Sequence, residues 1–538
     1  MSTRASLALA AGLWLVLVLA SLWARPLLPV DETRYLSVAW EMWARGDFLV
    51  PHLNGAPYAH KPPLLFWLIH LGWAVFGVND WTARLVAPLF GLASLFLAAG
   101  LARRLWPVDR QAPGLAVLLL LGALVWAAYG TATLFDMLVV FFALVGITGL
   151  VKAAGGASRY WLLFGIAVGG GILSKGPVIL LTLLPPALLA PWWTSARPAG
   201  GWPRWYLSLG GGVAIGAAMA LAWALPAAVS GGSAYREAIF WGQTAGRMVD
   251  SFAHARPWWW YLPLLPALLF PWSVWPPFFR GLARLGADPG VRLCLAWGLP
   301  AFLTLSLISG KQVHYLLPVF PAIMLPAAVG IARLSDRPDR RPGRPAAAGV
   351  AAVFLLLGLL LLARPWLVPL IPDLAWLDPS SPIWGAPPAL AGLGLLLWRP
   401  RSAARAVPVL TALVAGALML VQMGPLQAVR DAYDLRPLAR EVARVQAEGA
   451  PVAHFGRYRN EFHFLGRLEA PFSELDTPEE LLQWAREHPD GYVVARLEAH
   501  LPALADAALY LQRYRGDQGG IWRARTLLVH PELVEPLR

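Results

Sequence analysis

Long runs of apolar residues, separated by short polar connections, make up most of the chain. A helix needs about 20 mostly apolar residues to cross a hydrocarbon core about 30 Å thick. The pattern predicts a polytopic α-helical membrane protein with about thirteen transmembrane helices. These fall at residues 7–24, 82–102, 112–129, 137–152, 160–173, 177–193, 206–229, 258–279, 291–308, 315–333, 346–363, 385–398 and 404–423.

One further apolar run, residues 62–78, decides the orientation of all the others. If it lies in the membrane interface, every arginine-rich connection falls on the side of the N-terminus; if it spans, all of them fall outside. Because basic loops are retained in the cytoplasm, we expect a juxtamembrane or re-entrant helix here. The N-terminus is then cytoplasmic. The arginine-rich connections are 103–110, 152–159, 197–204, 280–292, 333–344 and 399–405.

Composition agrees with a membrane protein and excludes an ordinary soluble enzyme. Only 14% of the residues are charged and 58% are hydrophobic, whereas soluble domains carry about 25% charged residues. The net charge of +13 follows from the arginine-rich inner loops, so we expect no nucleic-acid partner. The single cysteine, Cys294, excludes an internal disulfide framework and a cysteine metal cluster.

Charge divides the chain into two regions. The last 113 residues hold 17 of the 31 acidic residues. We therefore predict a transmembrane domain over 1–425, with a first outer loop at 25–81, and a small α/β domain over 426–538 on the outer face. In the second domain we expect strands at 451–455 and 491–495. Thr477 and Glu480 have the spacing of a capping box at the start of a helix.

The connections with unusual polar residues all fall on the outer face in this topology. Polar groups above an apolar body suit an enzyme that handles a lipid-linked substrate from outside. A transporter would instead carry ionisable groups near the bilayer midplane. The outer connections are 25–62, 130–136, 174–176, 230–257, 310–314 and 364–384.

The first outer loop carries two adjacent carboxylates, Asp31 and Glu32, directly after the first span. Such a pair can act as a general base or hold a cation. Alternatively, the two residues cap the first turn of an amphipathic helix that runs through Trp43. Later in the same loop Lys61 precedes two prolines at a predicted helix start. There it either binds phosphate or extends its ammonium to the membrane interface.

Asp136 stands at the outer end of a span among apolar residues, where an aspartate is costly unless it is paired, used or a helix cap. Lys175 and Lys311 are also expected at helix starts on the outer face, with Tyr315 one turn after Lys311. Three of the four lysines in this arginine-rich chain thus collect on one face, which favours anion binding. Arg247 and His254 in the connection 230–257 are weaker substrate-binding candidates.

These residues resemble the bacterial aminoarabinose transferases, the lipid A-modifying branch of the protein O-mannosyltransferase-like GT-C superfamily. The resemblance spans about residues 1–335, and the first outer loop carries its specific part. It rests on Asp31-Glu32-x-Arg34-Tyr35, Gly46-Asp47, Asn54-Gly55-x-x-Tyr58, Lys61-Pro62-Pro63, Asp136, Ser174-Lys175-Gly176, His254-x-x-Pro257 and Lys311-x-x-x-Tyr315-x-x-Pro318.

The resemblance implies an enzyme that transfers a sugar from a polyprenyl-phosphate donor at the periplasmic face of the bacterial inner membrane. Its implied catalytic acids are Asp31 and Asp136. The implied donor-phosphate site is Arg34, Lys61, Lys175, Lys311 and Tyr315, and the predicted substrate contacts are Glu32, Tyr35, Tyr58, His60, Arg247 and His254. The family commonly has glutamate where this chain has His60, and this departure leaves metal use and the donor sugar open.

The resulting hypothesis is inverting glycosyl transfer to lipid A or a related envelope acceptor. Fixed cations would stabilise the departing polyprenyl phosphate. Two alternatives remain: a protein O-glycosyltransferase, and a polyprenyl-linked sugar transporter or flippase. A transporter would move labelled sugar across a vesicle membrane without forming a glycosidic bond.

Overall fold

The computed structural model of the chain describes residues 1–241, 255–286, 288–336, 347–371, 381–497, 502–531, 534 and 537. Contacts within the chain divide it into two compact units. The first comprises 1–23, 59–65 and 84–424, and the second comprises 24–58, 66–83 and 425–538. The segment beyond residue 425 thus shares a unit with most of the first outer loop.

Long apolar helices build the first unit. Eight helices in the described part of the chain are long and apolar enough to cross a membrane. They are Thr3–Ala24, Asp80–Leu105, Asp136–Ala154, Gly201–Ser230, Pro289–Leu307, Val313–Ser335, Ala348–Leu367 and Ala403–Ala428. Each coincides with one of the predicted spans.

The remaining predicted spans are shorter or interrupted. Residues 112–129 form two helices, Ala112–Gly122 and Leu124–Tyr129. The other shorter apolar helices are Tyr160–Lys175, Pro177–Leu188 and Pro382–Leu397. Two short helices, Ala190–Trp193 and Gly232–Glu237, lie before and after the long helix Gly201–Ser230.

The prediction of one continuous helix over 258–279 is wrong. The segment contains four short pieces, Leu262–Leu264, Leu265–Leu268, Trp272–Val274 and Pro276–Leu282. Five prolines lie between residues 262 and 278. Each removes a backbone donor and its ring clashes with the preceding turn, so an apolar run of sufficient length does not form a regular helix.

The ambiguous run 62–78 forms the helix Leu64–Phe76. At 1.5 Å per residue its 13 residues extend about 20 Å, which is shorter than the hydrocarbon core. Its placement in the membrane interface stays a prediction.

The second unit begins with the helix Asp31–Arg45, named here the loop helix. A hairpin follows, in which β1 (His52–Leu53) pairs with β2 (Ala56–Pro57). Its turn is Asn54-Gly55, both with positive φ, the sequence that two-residue hairpins favour.

A five-stranded mixed sheet forms the rest of the second unit, with strand order β4-β3-β5-β7-β6. Strands β4, β3 and β5 are parallel, and β5, β7 and β6 are antiparallel. The predicted strands near 451 and 491 are confirmed as β3 and β5. The strands are β3 (Val452–Phe455), β4 (Ser473–Leu475), β5 (Tyr492–Leu497), β6 (Ala508–Tyr514) and β7 (Asp517–Arg523).

Apolar side chains cover both faces of this sheet. Alternate residues of β5 belong to different clusters: Val493 packs with Trp484 and Trp522, whereas Val494 packs with Leu438 and Phe462. This alternation is the period of two expected of a strand. The covering helices are Arg436–Ala447, His463–Gly466, Pro478–Glu487, Pro502–Ala507 and Ala524–Val529.

The predicted helix cap at Thr477 is confirmed. Its hydroxyl accepts from the Glu480 amide, and the Glu480 side chain accepts from the Thr477 amide, so the capping box is complete.

Candidate active site

The two adjacent carboxylates of the first outer loop have different environments. Glu32 is buried. Its carboxylate accepts hydrogen bonds from both terminal nitrogens of Arg25 and from the Leu28 amide. These partners within the loop favour a structural role for Glu32. Its predicted contact with substrate stays a prediction.

Asp31 is the first residue of the loop helix, and its side chain is 47% exposed. The Arg34 guanidinium donates to Asp31 Oδ1 at 2.5 Å, and the Tyr35 hydroxyl donates to the same oxygen at 3.4 Å. One helical turn separates these residues from Asp31. Of the pair, Asp31 is the carboxylate that a substrate can reach.

Arg34 is held as a permanent cation. Burial lowers its pKa, but Tyr58, Tyr35 and Asp31 together outweigh that effect and raise it. Its Nε is buried and has no hydrogen-bond partner among the described residues.

Other residues of the first-loop motif shape the backbone. Gly46 ends the loop helix with positive φ, and Asp47 Oδ1 accepts from the Leu49 and Val50 amides. The amide of Tyr58 donates to Pro51 at 2.7 Å. Tyr58 and Tyr35 are buried, while His60 is exposed.

A second polar cluster lies in the helical unit, around Asp136. This aspartate begins a candidate span and is 3% exposed. Lys175 Nζ donates to Asp136 Oδ1 at 2.6 Å, and His314 Nε2 lies 3.8 Å from Oδ2. Lys61 adds another positive charge near the carboxylate. We name Lys61, Asp136, Lys175, His314 and Tyr315 the lysine cluster.

Aromatic rings hold the ammonium groups of the lysine cluster. Lys175 Nζ lies 4.1 Å from the centroid of the Tyr315 ring, and Lys61 Nζ lies 5.6 Å from that of Phe135. Ring faces attract cations without neutralising them. With two lysines around one aspartate, the cluster retains positive charge that can bind an anion.

His314 is a member of the site that the sequence analysis did not select. Its ring contacts Tyr129 and Tyr315 at centroid distances of 5.4 and 4.9 Å. The available signal was its position between Lys311 and Tyr315, two residues that were selected.

Lys311 and Lys175 differ from the prediction in detail. Lys311 is 2% exposed, and its ammonium donates to the carbonyls of Arg256 and Ile308 at 2.9 and 2.5 Å. These carbonyl partners favour a structural role. Lys175 is the last residue of one helix, which Gly176 ends with a φ of 78°, and the next helical segment begins at Pro177, so Lys175 lies at a junction between two helices.

Two predicted substrate contacts, Arg247 and His254, lie outside the described residues. Within the described ranges, no group of three or more histidine, cysteine, aspartate or glutamate side chains could hold a metal ion.

Known proteins are similar to this chain in sequence and in fold. Residues 60–224 match the family described as dolichyl-phosphate-mannose-protein mannosyltransferase. The undecaprenyl phosphate-alpha-4-amino-4-deoxy-L-arabinose arabinosyl transferase of Pseudomonas paraeruginosa is 33% identical over 423 residues, covering 74% of this chain and 72% of that protein. The chain belongs to this transferase family.

Other members and a solved structure agree. Arabinosyl transferase 2 of Pseudomonas fluorescens is 34% identical over 375 residues, covering 67% of this chain and 65% of that protein, slightly under two thirds of its length. The crystal structure of ArnT from Cupriavidus metallidurans bound to undecaprenyl phosphate has a TM-score of 0.74 at 20% identity, and covers 96% of this chain and 97% of that one. The fold is therefore that of a helical GT-C membrane protein, and the resemblance found in the sequence is confirmed.

Proposed function

We propose that the chain is an inverting glycosyltransferase that moves a sugar from undecaprenyl phosphate to lipid A. The observation that carries the proposal is the lysine cluster, in which Asp136 pairs with Lys175 while Lys61 and His314 lie near it. The family's named activity supplies the substrates: its members are named for transfer of 4-amino-4-deoxy-L-arabinose from undecaprenyl phosphate.

In this proposal the lysine cluster binds the donor phosphate. The bond between the anomeric carbon and the phosphate oxygen breaks, and its electron pair leaves with the undecaprenyl phosphate. Lys61 and Lys175 stabilise that developing charge, as fixed cations do when charge accumulates in a transition state. Asp136 holds the Lys175 ammonium in position, and the face of the Tyr315 ring attracts the same ammonium.

Asp31 acts on the other partner in the reaction. The acceptor oxygen attacks the anomeric carbon from the face opposite the leaving phosphate, which inverts the configuration. Asp31 stabilises the positive charge that develops on the sugar and accepts a proton when the acceptor is a hydroxyl. Arg34 fixes the orientation of the Asp31 carboxylate through its hydrogen bond.

The proposal includes a topology of thirteen crossings, with a cytoplasmic N-terminus and a periplasmic C-terminal region. The interrupted segment 258–279 counts as one crossing. At one end Ala255 pairs with Gly310, and beyond the other end the Gly281 backbone closely approaches Gly330. The segment therefore runs alongside the candidate span Val313–Ser335, which supports its passage through the membrane.

Replacement of Asp31 tests the catalytic assignment. Purified protein in detergent would receive undecaprenyl phosphate-linked aminoarabinose and lipid A, and mass spectrometry would measure the modified lipid. Since general acid–base groups contribute at least about 100-fold, we expect Asp31→Asn to lower kcat by that factor. Asp490→Asn, which changes an exposed aspartate in a turn, should retain wild-type turnover.

Wild-type turnover by Asp31→Asn would reject Asp31 as a catalytic residue. The acceptor is identified separately, by envelope mass spectrometry of a null strain with and without the wild-type gene. A sugar-sized mass restored on lipid A supports the proposal, whereas the same mass on a protein supports the O-glycosyltransferase alternative. Movement of labelled sugar across vesicles without a new glycosidic bond would support a transporter.

A further inference from the structure

The C-terminal sheet has a cavity of about 330 Å³ at the carboxyl ends of its parallel strands. Ligands of open α/β sheets bind at this edge, and the volume lies in the range of about 300–1,000 Å³ found for small-molecule sites. We name it the arginine cavity. The polar residues that line it are His454, Arg457, Arg459, Asp476, Arg496 and Asp517.

The strand ends explain why these residues meet. Gly456 follows β3 with a φ of 77°, and its amide donates to Leu475 at the end of β4. The chain therefore turns sharply, and Arg457 and Arg459 follow within three residues. Asp476 comes directly after β4, and Asp517 begins β7.

The three arginines of the cavity differ in their ion pairs. Arg496 bonds the buried Glu461 at 3.2 Å and lies over the Tyr514 ring. Across the described part of the chain, no ion pair is formed by Arg457 or Arg459. Their guanidinium groups line a cavity without a carboxylate bound to either of them.

Like charges crowd this edge of the sheet. Burial lowers the pKa of Arg459, and Arg457, Arg496 and Arg34 lower it further, against the opposing effect of Glu461. An anion bound between Arg457 and Arg459 would relieve this repulsion. Burial also lowers the pKa of His454, which keeps that ring neutral.

The same cavity holds two carboxylates, Asp476 and Asp517. They disfavour a bare anion but accept hydrogen bonds from hydroxyl groups. A ligand that combines a phosphate with several hydroxyls satisfies both sets of side chains, because guanidinium groups bind phosphate oxygens in pairs.

We propose that the arginine cavity binds a phosphorylated saccharide. Arg457 and Arg459 bind its phosphate, and Asp476 and Asp517 accept hydrogen bonds from its hydroxyls. The choice of a saccharide rests on the proposed transfer reaction. The cavity residues and the helix that begins with Asp31 belong to the same unit, so the ligand would bind in the same unit as the candidate catalytic aspartate.

Calorimetric titration of the full-length protein in detergent tests the site. The probes are glucose 1-phosphate, inorganic phosphate and glucose. We expect glucose 1-phosphate to bind more tightly than either other probe. The double variant Arg457→Ala/Arg459→Ala should weaken this binding at least about tenfold, since charge-assisted pairs are the stronger hydrogen bonds. The matched control Arg440→Ala/Arg486→Ala removes two exposed arginines outside the cavity and should bind as the wild type does.

Three results would overturn part or all of the proposal. If the wild type binds none of the probes, or the double variant binds glucose 1-phosphate unchanged, the site does not exist. If inorganic phosphate binds as tightly as glucose 1-phosphate, the saccharide part is wrong. Competition by lipid A, but not by dephosphorylated lipid A, would assign the ligand to a lipid headgroup. If lipid A does not compete with glucose 1-phosphate, the ligand is assigned to a soluble sugar phosphate.

Turnover separates this proposal from the proposed function. Asp31→Asn should lose transfer but retain binding of glucose 1-phosphate. If the ligand is the acceptor headgroup, Arg457→Ala/Arg459→Ala should raise KM for the acceptor at least about fivefold with little change in kcat. Wild-type turnover by Asp31→Asn, together with intact binding, would reject the catalytic assignment and leave the cavity site standing.

Discussion

Two carboxylate–cation pairs define the candidate chemistry at the scale of single residues. Asp31 is half exposed and held by Arg34, whereas Asp136 is buried and held by Lys175. The exposed pair can meet a substrate directly. The buried pair is stable because the two opposite charges attract each other. A single unpaired charge at the same place would cost about 3–5 kcal/mol.

Asp136 and Lys175 should therefore act as one unit. We expect Asp136→Asn and Lys175→Gln each to lower kcat about 100-fold, because Lys175→Gln removes the cation that stabilises the leaving phosphate and Asp136→Asn removes the carboxylate that positions that cation. The double variant should be no worse than the worse single variant, since the second change finds nothing left to disrupt. Turnover of the three variants in detergent measures this.

The matched control is the exposed pair of Arg444 and Glu448, which lie 2.8 Å apart. Surface pairs contribute little, so replacing either residue should leave turnover unchanged. If the losses for Asp136 and Lys175 multiply in the double variant, the two residues act independently and our account of the pair is wrong.

Sequence reasoning selected candidate residues by type but could not rank them. Asp31 and Glu32 are adjacent and chemically alike, yet only Glu32 is enclosed with Arg25. Lys175 and Lys311 both follow a span, yet one meets a carboxylate and the other meets backbone carbonyls. These outcomes depend on neighbours that are distant in the chain, and local sequence patterns carry no information about such neighbours.

The loop helix and its hairpin are fixed to the C-terminal sheet through Glu41. This carboxylate accepts from the amides of Asn54 and Gly55 at 2.7 and 2.9 Å, and from the Asn460 side chain at 3.0 Å. Burial raises the pKa of Glu41 although those donors lower it. Asn54 also exchanges two hydrogen bonds with the Phe472 backbone.

We expect Glu41→Gln to loosen the hairpin. An amide has one acceptor oxygen for three donors, and its own NH₂ would face a backbone N–H. The buried group left unsatisfied should cost about 1–3 kcal/mol. Thermal unfolding of the full-length protein in detergent measures the loss, and Glu469→Gln, which alters an exposed side chain, serves as the control. Equal melting temperatures for Glu41→Gln and the wild type would show that these bonds do not stabilise the hairpin.

Elements governed by local interactions were predictable from the sequence. The Thr477 cap and the strand at 452–455 follow from side chains within a few residues of each other. The segment 258–279 was not predictable from hydropathy, because hydropathy measures length and polarity while its prolines decide backbone hydrogen bonding.

Two distant parts of the chain build the second unit. Residues 24–58 and 66–83 share it with 425–538, and several hydrogen bonds join them. Ser37 donates to the Asn460 carbonyl at 2.8 Å, and Trp40 donates to that of Leu468 at 2.8 Å. Removing the C-terminal region would therefore disturb the helix that begins with Asp31, so point variants test its role better than truncation.

The proposed topology predicts opposite labelling of two engineered cysteines. Wild-type Cys294 is buried and should not react. In cells with a permeabilised outer membrane, Arg486→Cys should react with an impermeant maleimide, while Arg110→Cys should react only after the inner membrane is opened. Both arginines are exposed. The reverse pattern would invert the topology and move the C-terminal region to the cytoplasm.

The sequence by itself determined that the chain is a helical membrane protein, to which family it belongs and which residue types are candidates for the site. Each of these follows from hydropathy, from charge between spans or from short motifs, all of which act over a few neighbouring residues. Only the tertiary structure decided that His314 joins Asp136, that Lys311 bonds backbone carbonyls, and that the first outer loop folds with the C-terminal sheet. The physical reason is that burial and pairing depend on residues that chain folding brings together from distant segments.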